Sequence, residues 1–107
     1  MVDNRFEGKT KKQKFEAIQK NPHHIQFMYP TEKMRQLAVE LEWSTIKHIP
    51  KPSAKVKEIV LSQYPGYIDL LNRPSKNLQL IAVMRDPSVI HLIKNPCNAA
   101  KLFAAIK

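Results

Sequence analysis

Apolar residues return along this chain with a period of 21 to 22. Four segments align, residues 17–37, 38–59, 60–81 and 82–103, offset by 21, 22 and 22 positions. Each contains a short stretch with two apolar residues three apart: Ile25 and Met28, Ile46 and Ile49, Ile68 and Leu71, Ile90 and Ile93. That spacing is one face of a helix or a 3₁₀ turn. A proline follows in every unit, at Pro30, Pro52, Pro74 and Pro96. Four residues beyond it stand Met34, Val56, Leu78 and Ala100; seven beyond, Leu37, Ile59, Ile81 and Phe103; eight beyond, Ala38, Val60, Ala82 and Ala104. These positions form one stripe on a helix of about three turns, ~18 Å long at 1.5 Å per residue.

The punctuation between elements has local causes. Thr31, Ser53 and Ser75 directly follow the unit proline and are N-caps for the longer helix. Cys97 holds that slot in the last unit, where a thiol caps poorly, and Asn98 is its replacement. Asn21–Pro22 and Asp86–Pro87 place a capping side chain before a proline at the first helical position. Tyr64–Pro65 keeps only the proline and Glu42–Trp43 keeps neither, which predicts a softer bend in the second unit with Trp43 packed into the gap. Small alanines at the eighth position let helices approach closely. Residues 10–20 predict a first long helix with Phe15 and Ile18 on its apolar side and Lys11, Lys12 and Lys14 in solvent. Residues 1–9 read as a flexible N-terminal arm, pinned at most by Phe6, and residues 10–107 as a single α-helical repeat domain. The expected fold is all-α: a compact right-handed solenoid of about four units, each a short helix plus a longer one, whose neighbours supply the core no unit has alone.

The matching stretches Ala17-Ile18-Gln19-Lys20-Asn21-Pro22-His23-His24-Ile25 and Ala82-Val83-Met84-Arg85-Asp86-Pro87-Ser88-Val89-Ile90 carry a resemblance. The pattern resembles the leucine-rich-repeat variant, in which short and longer helices alternate at a similar period. It is also similar to a repeat family of unknown function found in large DNA viruses, phages and protists. The resemblance covers about residues 15 to 107 and implies the fold, with a phage or viral source as a corollary. The variant family's cysteine cluster for an iron–sulfur centre has no counterpart here, and no catalytic residue carries over.

Composition narrows the chemistry. Of 107 residues, 43% are hydrophobic and 25% charged, the balance of a globular chain. A single cysteine excludes an internal disulfide framework and any multi-cysteine metal centre, and it fits a reducing cytoplasm. No apolar run approaches the ~18 residues of a membrane span, and the polar N-terminus is no secretory signal. Gly8-Lys9-Thr10 mimics the end of a phosphate-binding loop, but Asp3 stands where the motif needs its first glycine. His23, His24, His48 and His91 include no pair at the i, i+3 or i+4 spacing of a helical metal site; His23 and His24 read as a polar, partly exposed loop edge at the start of a short helix, and His48 and His91 stand in different columns of the repeat, so those two are not expected to converge. Cys97 reads as structural, and no carboxylate pair suggests acid–base work. No cofactor and no metal are expected, and no enzymatic activity.

Charge is the remaining signal. Eighteen Lys and Arg face nine Asp and Glu, a net charge of +9, which favours an anionic partner. Some of that charge is in register. Five residues after each unit proline come Arg35, Lys57, Gln79 and Lys101; three after come Lys33, Lys55, Asn77 and Ala99. Stacked helices 8–10 Å apart would line up Arg35, Lys57 and Lys101 as a stripe, with Lys51 and Arg73 adding charge from the loops and Lys11, Lys12 and Lys14 from the N-terminal helix. The expected function is a small non-catalytic accessory or regulatory protein that docks on nucleic acid or a nucleoprotein machine through this face. The alternative is a protein–protein inhibitor or adaptor gripping an acidic protein surface, with Trp43 and Tyr67 as aromatic anchors at the rim.

Overall fold

The structure is a computed structural model and describes residues 5–106. Those residues hold five α-helices alternating with four 3₁₀ helices, and no strand. In order they are α1 (Lys11–Lys20), η1 (Pro22–Phe27), α2 (Glu32–Leu41), η2 (Trp43–His48), α3 (Ala54–Gln63), η3 (Pro65–Leu70), α4 (Lys76–Arg85), η4 (Pro87–Leu92) and α5 (Asn98–Ile106). The chain is all-α, with its helices packing in sequence order. It divides into two compact units at the junction of Val56 and Lys57, inside α3. Among the described residues no helix is long and apolar enough to cross a membrane. Of the N-terminal arm, residues 1–4 lie outside the described residues, while Phe6 sits 5.7 Å from the His24 ring and the Arg5 guanidinium lies 3.7 Å over the Phe27 ring.

The caps form where side-chain oxygens are available. The hydroxyls of Thr31, Ser53 and Ser75 accept the backbone N–H three residues on, from Met34 at 3.3 Å, Val56 at 3.1 Å and Leu78 at 3.2 Å. Thr10 does the same for Gln13, whose side chain accepts the Thr10 N–H in return, a reciprocal box. Gly8 precedes it at a φ of 79°, a left-handed turn suited to glycine. Gly8-Lys9-Thr10 is therefore accounted for as the start of α1.

The first four α-helices end in the same hinge. Asn21, Glu42, Tyr64 and Asp86 donate their N–H to the carbonyls of Ala17, Ala38, Val60 and Ala82 at 2.7–3.0 Å, and a six-residue 3₁₀ helix follows. Asn21 and Asp86 also cap with their side chains, accepting from the N–H of His23 and Ser88. The second hinge is no softer than the others: Glu42 has φ −155° and ψ 109°, against −153° and 105° at Asn21. The backbone bond and the burial of Ile46 and Ile49 set the bend without a capping side chain, and the Thr45 hydroxyl adds a bond to the Glu42 carbonyl at 2.8 Å.

In the first unit the buried residues are Ile18, Ile25, Met28, Met34, Ala38, Val39, Thr45, Ile46, Ile49 and Val56. In the second, Leu61, Ile68, Leu78, Ala82, Val83, Val89, Ile93 and Ala100 form one cluster, with Tyr67, Ile81, Ile90 and Phe103 packed against it. The fourth and eighth positions after the unit proline are buried as the periodicity predicts, save Ala104, which is half-buried. The seventh is only half-buried, and the ninth, at Val39, Leu61 and Val83, is fully enclosed. The stripe is wider than one helix face because α2 packs against η1 and η2 as well as α1, and α4 against η3 and η4 as well as α5.

Candidate functional site

The basic columns fall on fixed helical positions. Lys33 and Lys55 are the second residues of α2 and α3; Arg35, Lys57 and Lys101 are the fourth residues of α2, α3 and α5. Lys12 and Lys14 occupy the same two positions of α1. The N-terminal cluster of Lys11, Lys12 and Lys14 is thus in register with the other cations. The sequence hid this because α1 has Lys9, not proline, in the slot before its cap.

This placement opposes local electrostatics. A helix N-terminus carries about half a positive charge, so carboxylates stabilise the first turn and lysines destabilise it. Here α1, α3, α4 and α5 have no acidic residue in the first turn. The exception is Glu32 in α2, and its carboxylate is engaged. It accepts from the Ser53 hydroxyl at 2.6 Å and from the Gln36 amide at 3.0 Å, with the Arg35 guanidinium 3.9 Å away. The Ser53 bond first and then the Gln36 bond hold the Glu32 carboxyl below the usual carboxylate range against an opposing push from burial, with Arg35 the smallest contribution.

One hydrogen bond joins two helix starts in each unit. Ser53, the cap of α3, meets Glu32, the first residue of α2. Cys97, just before α5, donates its N–H to the side chain of Gln79, the fourth residue of α4, at 2.7 Å, while the Gln79 amide donates to the Pro74 carbonyl at 3.0 Å. In the first unit Lys33, Lys51 and Lys55 are exposed and Arg35 is half-buried; in the second Arg73, Lys76 and Lys101 are exposed and Lys57 is half-buried. Lys11 and Lys12 are exposed and Lys14 is half-buried. Gln79 is only 6% exposed. The gap it leaves in the basic column is a structural position, where a buried amide satisfies two backbone groups.

Lys51 and Arg73 stand out by their backbone. Both lie just before the unit proline with φ of 49° and 53°, in the left-handed region. That conformation costs a side-chain-bearing residue about 1–2 kcal/mol, least for Asn. Arg73 also lines a cavity of about 690 Å³ with Asn72, Gln79, Lys94, Asn95 and the exposed Leu70. The expected aromatic anchors are more enclosed: Trp43 and Tyr67 are half-buried, and burial pushes the Tyr67 phenol up.

Two of the histidines meet through space, which the sequence reading did not weigh. His23 from η1 and His48 from η2 meet, with His23 Nδ1 3.0 Å from His48 Nε2 and the rings nearly perpendicular. The other nitrogen of His23, Nε2, pairs with the Glu42 carboxylate. Burial first, then His23 and Lys47, hold the His48 imidazolium below its ordinary range, so the ring is neutral near pH 7. His24 Nδ1 bonds the Ala17 carbonyl at 3.0 Å. Spacing along one helix could not reveal the pair, because its members are 25 residues apart on successive 3₁₀ helices that pack together. Among the described residues no three His, Cys, Asp or Glu side chains converge to hold a metal ion. No family model, curated protein or solved structure matches the chain, and the functional reading therefore rests on this geometry.

Proposed function

We propose that the chain is a non-catalytic module that binds nucleic acid through the phosphate backbone. The observation that supports this best is the set of cations at α-helix starts, held there against the helix dipole, with successive helix starts tied in each unit by the Ser53–Glu32 or the Cys97–Gln79 bond. Lysines in that place are unfavourable alone and favourable once an anion approaches, because backbone N–H groups and ammonium groups then act together. Lys51 and Arg73 add exposed charge from connections where an uncharged Asn would be less strained. Each unit is basic by itself, with eleven Lys and Arg against six acidic residues in 1–56, and seven against three in 57–107. The exposed aromatics are few, so base stacking contributes little and sequence preference is weak.

An acidic protein surface is the second reading, favoured by exposed Leu70 and Leu92 on the wall of the Arg73 cavity, since apolar side chains gain nothing from phosphate. The test is fluorescence anisotropy with labelled single- and double-stranded oligonucleotides, using the triple variant Lys33→Glu, Lys55→Glu, Lys76→Glu. All three residues are exposed and in a first helical turn. Reversal should abolish binding and raise the Tm, because the new carboxylates suit the dipole by about 0.3–1 kcal/mol each. Retained binding with a raised Tm overturns the nucleic-acid reading.

A further inference from the structure

The His23–His48 pair joins η1 to η2 and has a different chemistry from the lysine positions. The geometry points to a two-histidine site for a borderline divalent cation such as Zn²⁺ or Cu²⁺, bound between His23 Nδ1 and His48 Nε2 with water filling the remaining positions. Three observations carry it. First, the two nitrogens already face each other at 3.0 Å. With metal–nitrogen bonds of 2.0–2.1 Å that separation gives an angle at the metal of about 95°, and opening by about 0.3 Å reaches the tetrahedral value. Second, the Glu42 carboxylate holds the proton on His23 Nε2, which leaves the Nδ1 lone pair directed at His48. A carboxylate behind a ligating imidazole is the arrangement that orients metal-bound histidines and raises their basicity. Third, the His23 side chain is 28% exposed, so the site is open to solvent for entry and for coordinated water.

With His23 protonated on Nε2 toward Glu42, the metal-free bond has His48 Nε2–H donating to His23 Nδ1. A cation takes the place of that shared proton, and His48 carries its proton on Nδ1 instead. The exchange needs no oxidant and releases no proton when both rings are neutral. Imidazole pairs select Cu²⁺ and Zn²⁺ over hard cations such as Mg²⁺, whose preferred ligands are oxygens. Because His23 and His48 belong to consecutive 3₁₀ helices, the ion would clip η1 to η2.

The test is calorimetric titration of Zn²⁺, with Mg²⁺ as the control, into the full chain and into His23→Gln, His48→Gln, Glu42→Gln and His91→Gln. The expected result is one equivalent bound by the native chain and by His91→Gln, with at least tenfold weaker binding in His23→Gln and His48→Gln. Glu42→Gln should lose about ten- to a hundredfold, the usual effect of removing such a carboxylate. At ten times Kd, Zn²⁺ should raise the Tm by about 6 °C. Should either histidine variant fail to fold, the ring NMR signals of the native chain decide: Zn²⁺ shifts His23 and His48 and leaves His91 in place. Unchanged affinity in His48→Gln, equal shifts at all the histidines, or no Zn²⁺ uptake overturns the proposal.

Discussion

Lys51 and Arg73 are the residues at which backbone and charge disagree most. A long cationic side chain does not need a left-handed φ, and Asn tolerates it better. Lys51→Asn should therefore leave stability unchanged or raise it by up to about 1 kcal/mol, while weakening oligonucleotide binding. Urea melts and anisotropy on the same variant separate the two effects, and a loss of both would mark Lys51 as structural. Glu32 behaves oppositely. Its folded carboxyl lies below the usual range, so the stability it contributes is present above that range and lost as the pH falls through the folded value. Urea midpoints followed from pH 7 to pH 3 should fall less in Glu32→Gln than in the native chain. An identical acid slope would mean the Ser53 and Gln36 bonds do not favour the charged form.

At the scale of elements, the chain uses one hinge four times with different side chains. The repeated parts are the N–H bond at the helix end and the apolar pair three residues apart. Asn21 and Asp86 reinforce the hinge; Glu42 and Tyr64 do without a side-chain cap. That leaves the Glu42 carboxylate to hold His23. Gln79 shows the same economy between elements, since one amide ties the start of α5 to α4 and to the Pro74 carbonyl. Gln79→Leu keeps the volume nearly constant but strands two backbone groups, and should destabilise by about 1–3 kcal/mol for each group left unpaired. Asn77→Leu, at an exposed position two residues away, should change stability within about 0.5 kcal/mol. Similar losses in both would remove the special role of the buried amide.

For the molecule as a whole, the basic excess is shared by both units. The nucleic-acid reading then makes a graded forecast. Affinity should fall with salt at a log–log slope of about −3 to −5, as expected for a few neutralised phosphates. Each reversed cation that touched a phosphate should reduce that slope by about 1. Reversals in the first unit and in the second should each remove part of the slope. A slope near zero in the native chain would favour the acidic-protein reading, with Leu70 and Leu92 as its apolar contacts.

The repeat period, the alternation of short and long helices, the serine and threonine caps and the buried fourth and eighth positions were all legible in the sequence. They depend on interactions within a few residues: a hydroxyl three positions from an N–H, a proline at a first turn, apolar residues three or four apart. The helical positions of Lys33, Arg35, Lys55, Lys57 and Lys101 were legible too, because they ride on the same register. Tertiary structure decided what depends on distance through space. The His23–His48 meeting joins residues 25 apart, and the Ser53–Glu32 bond joins residues 21 apart. Gln79 became a buried tie instead of a weak member of a charged stripe because its neighbour across the fold is the backbone of Cys97. Val39 and Val83 are enclosed because two 3₁₀ helices pack against each of α2 and α4, which a one-stripe pattern does not encode. Local periodicity specifies which faces turn inward, and only the packed chain specifies which side chains then find each other.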